Sequence, residues 1–293
     1  MKVSICIPAY KHIDFLRRCL NSILEQRFTD YEVVITDDSP EDSLQKLVEE
    51  YSDERIKYFK NEKPLGSPLN WNEGIKKAQG EYIKILHHDD WFSSPDSLEK
   101  YVRLLDENPN ADIAFSASCD LDNHNTRKPH IASSEFISEL ENDATIIYTG
   151  NRLGAPSVCI FRNKGYLFDP NLIWLVDMDF YMQVIMAKDN TFAFSPEILV
   201  NIGISEFQIT QQCLAETKVK ISEKIYLYKK YSLEYKPAKY RKSLLKYMGR
   251  EKIRRTSDLR DILPDSDFTF SRSDTFRAYI YYIRKKIRGL LPR

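Results

Sequence analysis

The stretch Glu81-Tyr82-Ile83-Lys84-Ile85-Leu86-His87-His88-Asp89-Asp90-Trp91 reads as a short buried strand that stops at two adjacent carboxylates. An apolar run of this length, followed by a loop with Ser93, Ser94 and Pro95, has the pattern of a strand and its exit. Ligands of open α/β sheets bind beyond the carboxyl ends of strands, where loops and helix starts converge. Neighbouring carboxylates repel each other, so a fold leaves them in water or supplies a cation. Asp89-Asp90 is therefore either a solvated turn capping a helix that starts near Pro95 or the seat of a hard divalent ion.

The flanking sequence supplies the context. Val3 to Pro8 is a strand, and Phe15, Leu16, Cys19, Leu20, Ile23 and Leu24 recur at helical spacing between Ile13 and Glu25. Tyr31 to Thr36 gives a second strand ending at Asp37-Asp38, Leu44 to Tyr51 a helix, and Ile56 to Phe59 a third strand. This alternation predicts a parallel sheet with right-handed crossovers. Acidic pairs then close two of its strands, a coincidence that favours a shared cleft over unrelated turns. Trp71 to Ala78 is a helix with Gly80 placed for a left-handed cap. Ser97 to Asp106 is another helix and Ile113 to Ser118 another strand. Cys119 to Asn151 is polar and weakly patterned, as expected of a flexible loop or short hairpin. Ser157 to Phe161 is a strand, and Trp174 to Tyr181 opens a helix that runs to about Ala187. Asp177, near its start, suits an N-cap and is open to a second role.

The formal net charge is zero, but it is unevenly distributed. Lys218 to Arg293 holds 22 Lys+Arg against 8 Asp+Glu, a net of +14, on a body that carries −14. Glu206 to Tyr235 and Ala238 to Lys252 are charged and helical. In the last helix Phe276, Ile280, Ile283, Ile287 and Leu290 form one stripe beside Arg277, Arg284, Lys285 and Arg288. Segment 276–291 could thus lie on an anionic membrane or pack on the main domain; the stripe favours membrane or partner contact over nucleic acid. The five cysteines are widely spaced with no Cys-x-x-Cys, which disfavours a disulfide framework or a thiolate zinc site. With no leader and no apolar run of about 18 residues, the expectation is a cytoplasmic protein, peripheral at most to the inner membrane face. A dehydrogenase is disfavoured, since no Gly-x-Gly-x-x-Gly follows the first strand.

Val3-Ser4-Ile5-Cys6-Ile7-Pro8-Ala9-Tyr10, Val33-Val34-Ile35-Thr36-Asp37-Asp38-Ser39, Ala78-Gln79-Gly80-Glu81-Tyr82-Ile83 ahead of His88-Asp89-Asp90, Ala155 to Arg162, and Val176 to Tyr181 together resemble the family 2 glycosyltransferases of the GT-A fold. The resemblance spans about residues 1 to 205. It implies an α/β domain with a mostly parallel sheet flanked by helices, followed by a helical, basic C-terminal extension at 206–293. It also implies roles. Pro8, Ala9 and Tyr10 would hold the nucleotide base, and Asp37 and Asp38 the base and ribose. Asp89 would bind the sugar nucleotide and Asp90 the Mn²⁺ or Mg²⁺ on its diphosphate. Asp177 would be the catalytic base, with Asp179 and His88 in support.

The implied reaction is inverting transfer of one sugar from a nucleotide sugar, a UDP-sugar first, to a glycan or lipid-linked acceptor in cell-surface polysaccharide synthesis. This chain departs from the family at His87, where relatives carry the first acid of Asp-x-Asp, and at Trp71, where a basic residue is common. Gln208, Gln211 and Gln212 are not followed by the Arg-Trp of processive synthases, so single transfer is expected. Two alternatives remain: a nucleotide-sugar-binding protein without catalysis, and a nucleotidyltransferase.

Overall fold

The computed structural model describes residues 1–122, 126–205 and 216–290. They gather into two compact units: Met1–Ala144 with Asn151–Leu172 and Val176–Glu206, and Thr145–Gly150 with Ile173–Leu175 and the C-terminal region from Phe207.

In the first unit the order is β1 (Val3–Ala9), α1 (Ile13–Leu24), β2 (Tyr31–Asp37), α2 (Ser43–Glu49), β3 (Ile56–Lys60), α3 (Leu69–Lys77), β4 (Tyr82–Ile85) and β5 (Trp91–Phe92). Then come α4 (Ser97–Asp106), β6 (Ile113–Leu121), β7 (Arg127–His130), α5 (Ser134–Asn142), β8 (Cys159–Arg162), α6 (Val176–Met186) and β9 (Ala193–Gly203). The strands form one sheet in the order β3-β2-β1-β4-β8-β6-β9-β5, with β7 on β6. Strands β1, β2 and β4 are buried along their whole length, which is why they read as near-continuous apolar runs. Helix α1 lays Leu16, Cys19, Leu20 and Ile23 into the core. The sheet is mixed as well as mostly parallel, because β8 runs antiparallel to both β4 and β6.

Several expectations change. Gly80 is no left-handed cap: α3 ends in the extended residue Ala78. A Cβ at Gly80 would stand 2.5 Å from the Ser4 backbone nitrogen, so the glycine lets the chain entering β4 lie against β1. Segment 119–151 holds the expected hairpin, β6 with β7, but also α5. Ser133 caps that helix by accepting from the Phe136 N–H, and Phe136 and Leu140 enter the core. Strand β9 was not anticipated; it pairs in parallel with β6 through a register shift near Ala117. Asp177 sits in the first turn of α6 rather than at its cap.

The second unit contains α7 (Thr217–Lys230), α8 (Lys239–Arg250), α9 (Thr256–Arg260) and α10 (Arg272–Leu290). Of the segment expected as a helix from Glu206 to Tyr235, residues 206–215 lie outside the described residues; the remainder is α7 and a short 3-10 turn. The Glu223 carboxylate accepts from the backbone N–H groups of Ile173, Trp174 and Leu175. Lys224 donates to the Tyr148 carbonyl. Among the described residues no helix is long and apolar enough to cross a membrane.

Adding the methyl of Gly80→Ala should force β1 and the β4 entry apart. It is expected to lower stability by roughly 2 kcal/mol, read from the shift in urea midpoint.

Candidate functional site

The parallel ladder brings three loops to one sheet edge. Ala9 is paired with Asp37 across β1 and β2, and the Leu86 N–H donates to the Cys6 carbonyl just past β4. Tyr10, Asp38 and His87 therefore leave the sheet at the same carboxyl edge.

At the centre of that edge, ligand atoms of His87, Asp89 and Asp90 lie within 4.8 Å of one another. Two carboxylates suit a hard divalent ion such as Mn²⁺ or Mg²⁺, and the imidazole adds a nitrogen donor. His87 Nε2 is buried and has no hydrogen-bond partner. Burial pushes the His87 imidazole down to about 4, so it is neutral at neutral pH with a lone pair to offer. Asp90 is 2% exposed and accepts from the Gly203 N–H at 3.1 Å. Burial, then the neighbouring Asp89, holds the Asp90 carboxyl well above its ordinary value. These residues fit a divalent cation: the acid is buried, and among the described residues the His87 Nε2 has no hydrogen-bond partner.

Ser157 fixes this loop. Its hydroxyl oxygen accepts from the His87 N–H at 3.0 Å and also bonds Asp90. Its carbonyl accepts from Lys84, whose fully buried ammonium also donates to the carbonyls of Ile85 and Cys159 and lies 4.5 Å from the Tyr101 ring centroid. Lys84 went unnoticed in the sequence, where a lysine in an apolar run carries no visible partner.

On the nucleotide side the two adjacent acids have different partners. Asp37 is fully buried, accepting from the Tyr58 hydroxyl and the Ser39 N–H. Asp38 accepts from Asn61 and from the N–H groups of Leu65 and Gly66, so it organises the loop that follows β3. Gly66 has φ +73°, a turn that aims its N–H at Asp38. Pro8 and Ala9 are buried, while Tyr10 is 45% exposed and offers its ring. Lys11 and His12 both adopt left-handed backbone conformations, uncommon for non-glycine residues and frequent at functional turns. The turn stacks His12 on His88 with centroids 6.4 Å apart. Burial lowers the His88 imidazole, which also bonds the Pro8 backbone. Trp71 packs against His87 at 4.5 Å and edge-on against Phe168, forming an aromatic wall where the family resemblance leads one to look for a cation.

Asp177 is half-buried, and both its oxygens are held. Asn151 Nδ2 donates to Oδ2 at 2.6 Å, and the Met178 N–H donates to Oδ1 at 2.7 Å. The same Asn151 braces Leu153 and Gly154. Segment 151–157 thus grips Asp177 at one end and His87 at the other. Asp179 is 1% exposed and stays within the protein. A hollow of about 200 Å³ adjoins the acidic loop, lined by Phe15, Arg18, Asp89, Trp91, Asp122 and Gly203. Arg18 spans it, donating to the Asp89 carbonyl and lying 3.7 Å over the Trp91 ring. Such a volume falls short of the roughly 300–1,000 Å³ of a pocket enclosing a whole drug-sized ligand.

A family model described as glycosyl transferase family 2 matches residues 4–172. An uncharacterized glycosyltransferase of Rickettsia typhi is 26% identical over 219 residues, covering 72% of this chain and 67% of that protein. The Escherichia coli protein WfgD, named as a UDP-Glc:alpha-D-GlcNAc-diphosphoundecaprenol beta-1,3-glucosyltransferase, is 25% identical over 74% of this chain and 81% of its own. Among solved structures, Staphylococcus aureus TarS residues 1–349 with UDP-GlcNAc superposes with TM-score 0.60 at 18% identity, over 97% of this chain and 89% of that one. The mannosyltransferase PcManGT of Pyrobaculum calidifontis, with GDP-Man and Mn²⁺, gives 0.57 at 13%, over 99% and 87%. The curled, mostly parallel sheet with flanking helices is that of the GT-A glycosyltransferases.

Burial holds the Lys84 ammonium at about 8, below its ordinary 10.5. Between those values the unfolded chain binds a proton that the folded chain does not, so stability rises with pH across that window. Lys84→Met carries no such group. The stability of the natural protein relative to this variant should therefore climb by up to roughly 3 kcal/mol from pH 8 to 10.5. A difference that stays flat in urea titrations would refute the desolvated ammonium.

Proposed function

This chain belongs to glycosyl transferase family 2 and is a glycosyltransferase, and from that premise we propose that it moves one hexose, with inversion, from a UDP-sugar to a hydroxyl of a lipid-linked glycan. Residues 1–205 would carry the reaction and 206–293 would be an appended helical module. The observation that carries the reading is segment 151–157, which ties the candidate base Asp177 to the candidate cation site at His87. Two of the named relatives support the uridine nucleotide: one is named for UDP-Glc and one is solved with UDP-GlcNAc. The diphosphoundecaprenol acceptor in the name of WfgD supports the acceptor class.

Residue roles follow from chemistry. Tyr10, at the turn after Pro8 and Ala9, stacks the base. Asp38 and the loop it organises receive the ribose, and Asp37 keeps that turn in place from its buried position. Asp90, with His87 and Asp89, would hold a divalent cation, Mn²⁺ ahead of Mg²⁺. When bound, such an ion neutralises the diphosphate charge that grows as the glycosidic bond breaks. Asp177 accepts the proton of the acceptor hydroxyl as that oxygen attacks the anomeric carbon. Asn151 and the Met178 N–H hold the carboxylate in one orientation. The nucleoside diphosphate departs from the opposite face, so no covalent sugar-protein bond is required. Asp179 and His88 support the base and the acidic loop from behind.

With Mn²⁺ and a panel of nucleotide sugars, the purified protein should transfer to, or slowly hydrolyse, a UDP-sugar in preference to other donors. Asp177→Asn and Asp90→Ala are each expected to reduce turnover by more than about 100-fold while melting as cooperatively as the parent. Full turnover by both variants would end this mechanism. Binding without turnover in the parent would favour a catalytically inactive nucleotide-sugar-binding protein. Pyrophosphate release from a nucleoside triphosphate would favour nucleotidyl transfer.

A further inference from the structure

Helix α10 has two opposite faces, and only one is used within its unit. Asp274, Ala278 and Lys285 lie on the inner face. Asp274 is 2% exposed and pairs with Arg241, Ala278 is fully buried, and Lys285 donates to the Arg250 carbonyl. At the crossing, a Cβ on Gly249 of α8 would stand 2.3 Å from the Ala278 carbonyl oxygen. The two helices therefore meet backbone to backbone, through small residues.

The larger apolar groups point the other way. Phe276, Tyr279, Ile283 and Ile287, spaced by three, four and four residues, are 66%, 47%, 37% and 53% exposed. At 100° per residue they fall on one stripe opposite Ala278. Arg277 and Arg284 line one side of the stripe and Lys286 the other, all exposed and, among the described residues, without an ion-pair partner. The helix's own acid, Asp274, is already neutralised by Arg241.

We propose that this outward stripe is a docking surface for an anionic lipid bilayer, with α10 lying in the membrane plane. Apolar side chains along the midline would enter the boundary between headgroups and acyl chains, and the two basic rows would meet lipid phosphates. The charge pattern selects this occupant over a second copy of the chain, because two such faces would bring rows of like charge together. The surface is independent of the transfer chemistry: it shares no residue with those assigned to the reaction.

Cosedimentation of the full chain with large unilamellar vesicles tests the assignment. The protein should pellet with phosphatidylcholine vesicles containing about a quarter phosphatidylglycerol, weakly with phosphatidylcholine alone, and less as salt screens the phosphates. Ile283→Ser and Ile287→Ser should each lower the partition coefficient roughly tenfold. Arg277→Glu with Arg284→Glu should abolish the preference for the anionic vesicles. Because the altered side chains are exposed, thermal midpoints and nucleotide-sugar hydrolysis in vesicle-free buffer should not move; that hydrolysis reports on the transferase reading separately. Equal pelleting with both vesicle types, or unchanged partition in the serine variants, would overturn the proposal. So would a dimer in sedimentation velocity that Ile283→Ser dissolves while vesicles bind nothing.

Discussion

Bringing two carboxylates to the mouth of a buried strand requires something to hold the loop that carries them. Here that is the Lys84–Ser157 contact. The ammonium sits beneath the acidic turn, satisfied by three main-chain carbonyls and a tyrosine ring and, among the described residues, with no carboxylate at hydrogen-bond distance. One of those carbonyls belongs to Ser157, whose hydroxyl then fixes the His87 backbone. An uncompensated buried charge of this kind costs stability, and its field reaches Asp90. The strand pairing of β4 with β8, the acidic loop and the tether to Asp177 all converge on that lysine.

The legible part of the sequence was the part written in local pattern. Strands β1, β2 and β4 and helices α1 and α4 stand out because burial on one or both faces leaves a periodic apolar record. The acidic pairs stand out because they interrupt it. What escaped was set by distant contacts. The apolar pattern of strand β9 is interrupted by Pro196 and Glu197, so the strand is not evident until β6 is seen beside it. Helix α5 is mostly polar and is held by one cap and two buried side chains. Gly80 looked like a cap because glycine after a helix usually is one, whereas its position answers to Ser4, 76 residues earlier.

The same holds for the site. Asp89, Asp90 and Asp177 could be named from a strand end, a helix start and the family resemblance. The neighbours that orient them could not. Asn151, Ser157 and Arg18 are ordinary polar residues whose partners lie 26, 70 and 71 positions away. The sequence marks His87 as a departure from the family and His88 as a supporting residue; the geometry groups His87 with the two acids and turns His88 toward His12 and Phe15. The resemblance gives Asp37 and Asp38 one shared role; what the sequence does not display is that Asp37 accepts from Tyr58 while Asp38 accepts from the loop after β3.

Gly249 has a consequence beyond its own contact. Because a hydrogen is all that separates α8 from the Ala278 carbonyl, the crossing acts as a rotational key for the last helix: a side chain there would prise the pair apart and let the cylinder roll about its axis. Which residues face the solvent is then decided by one missing methyl group rather than by the residues on display.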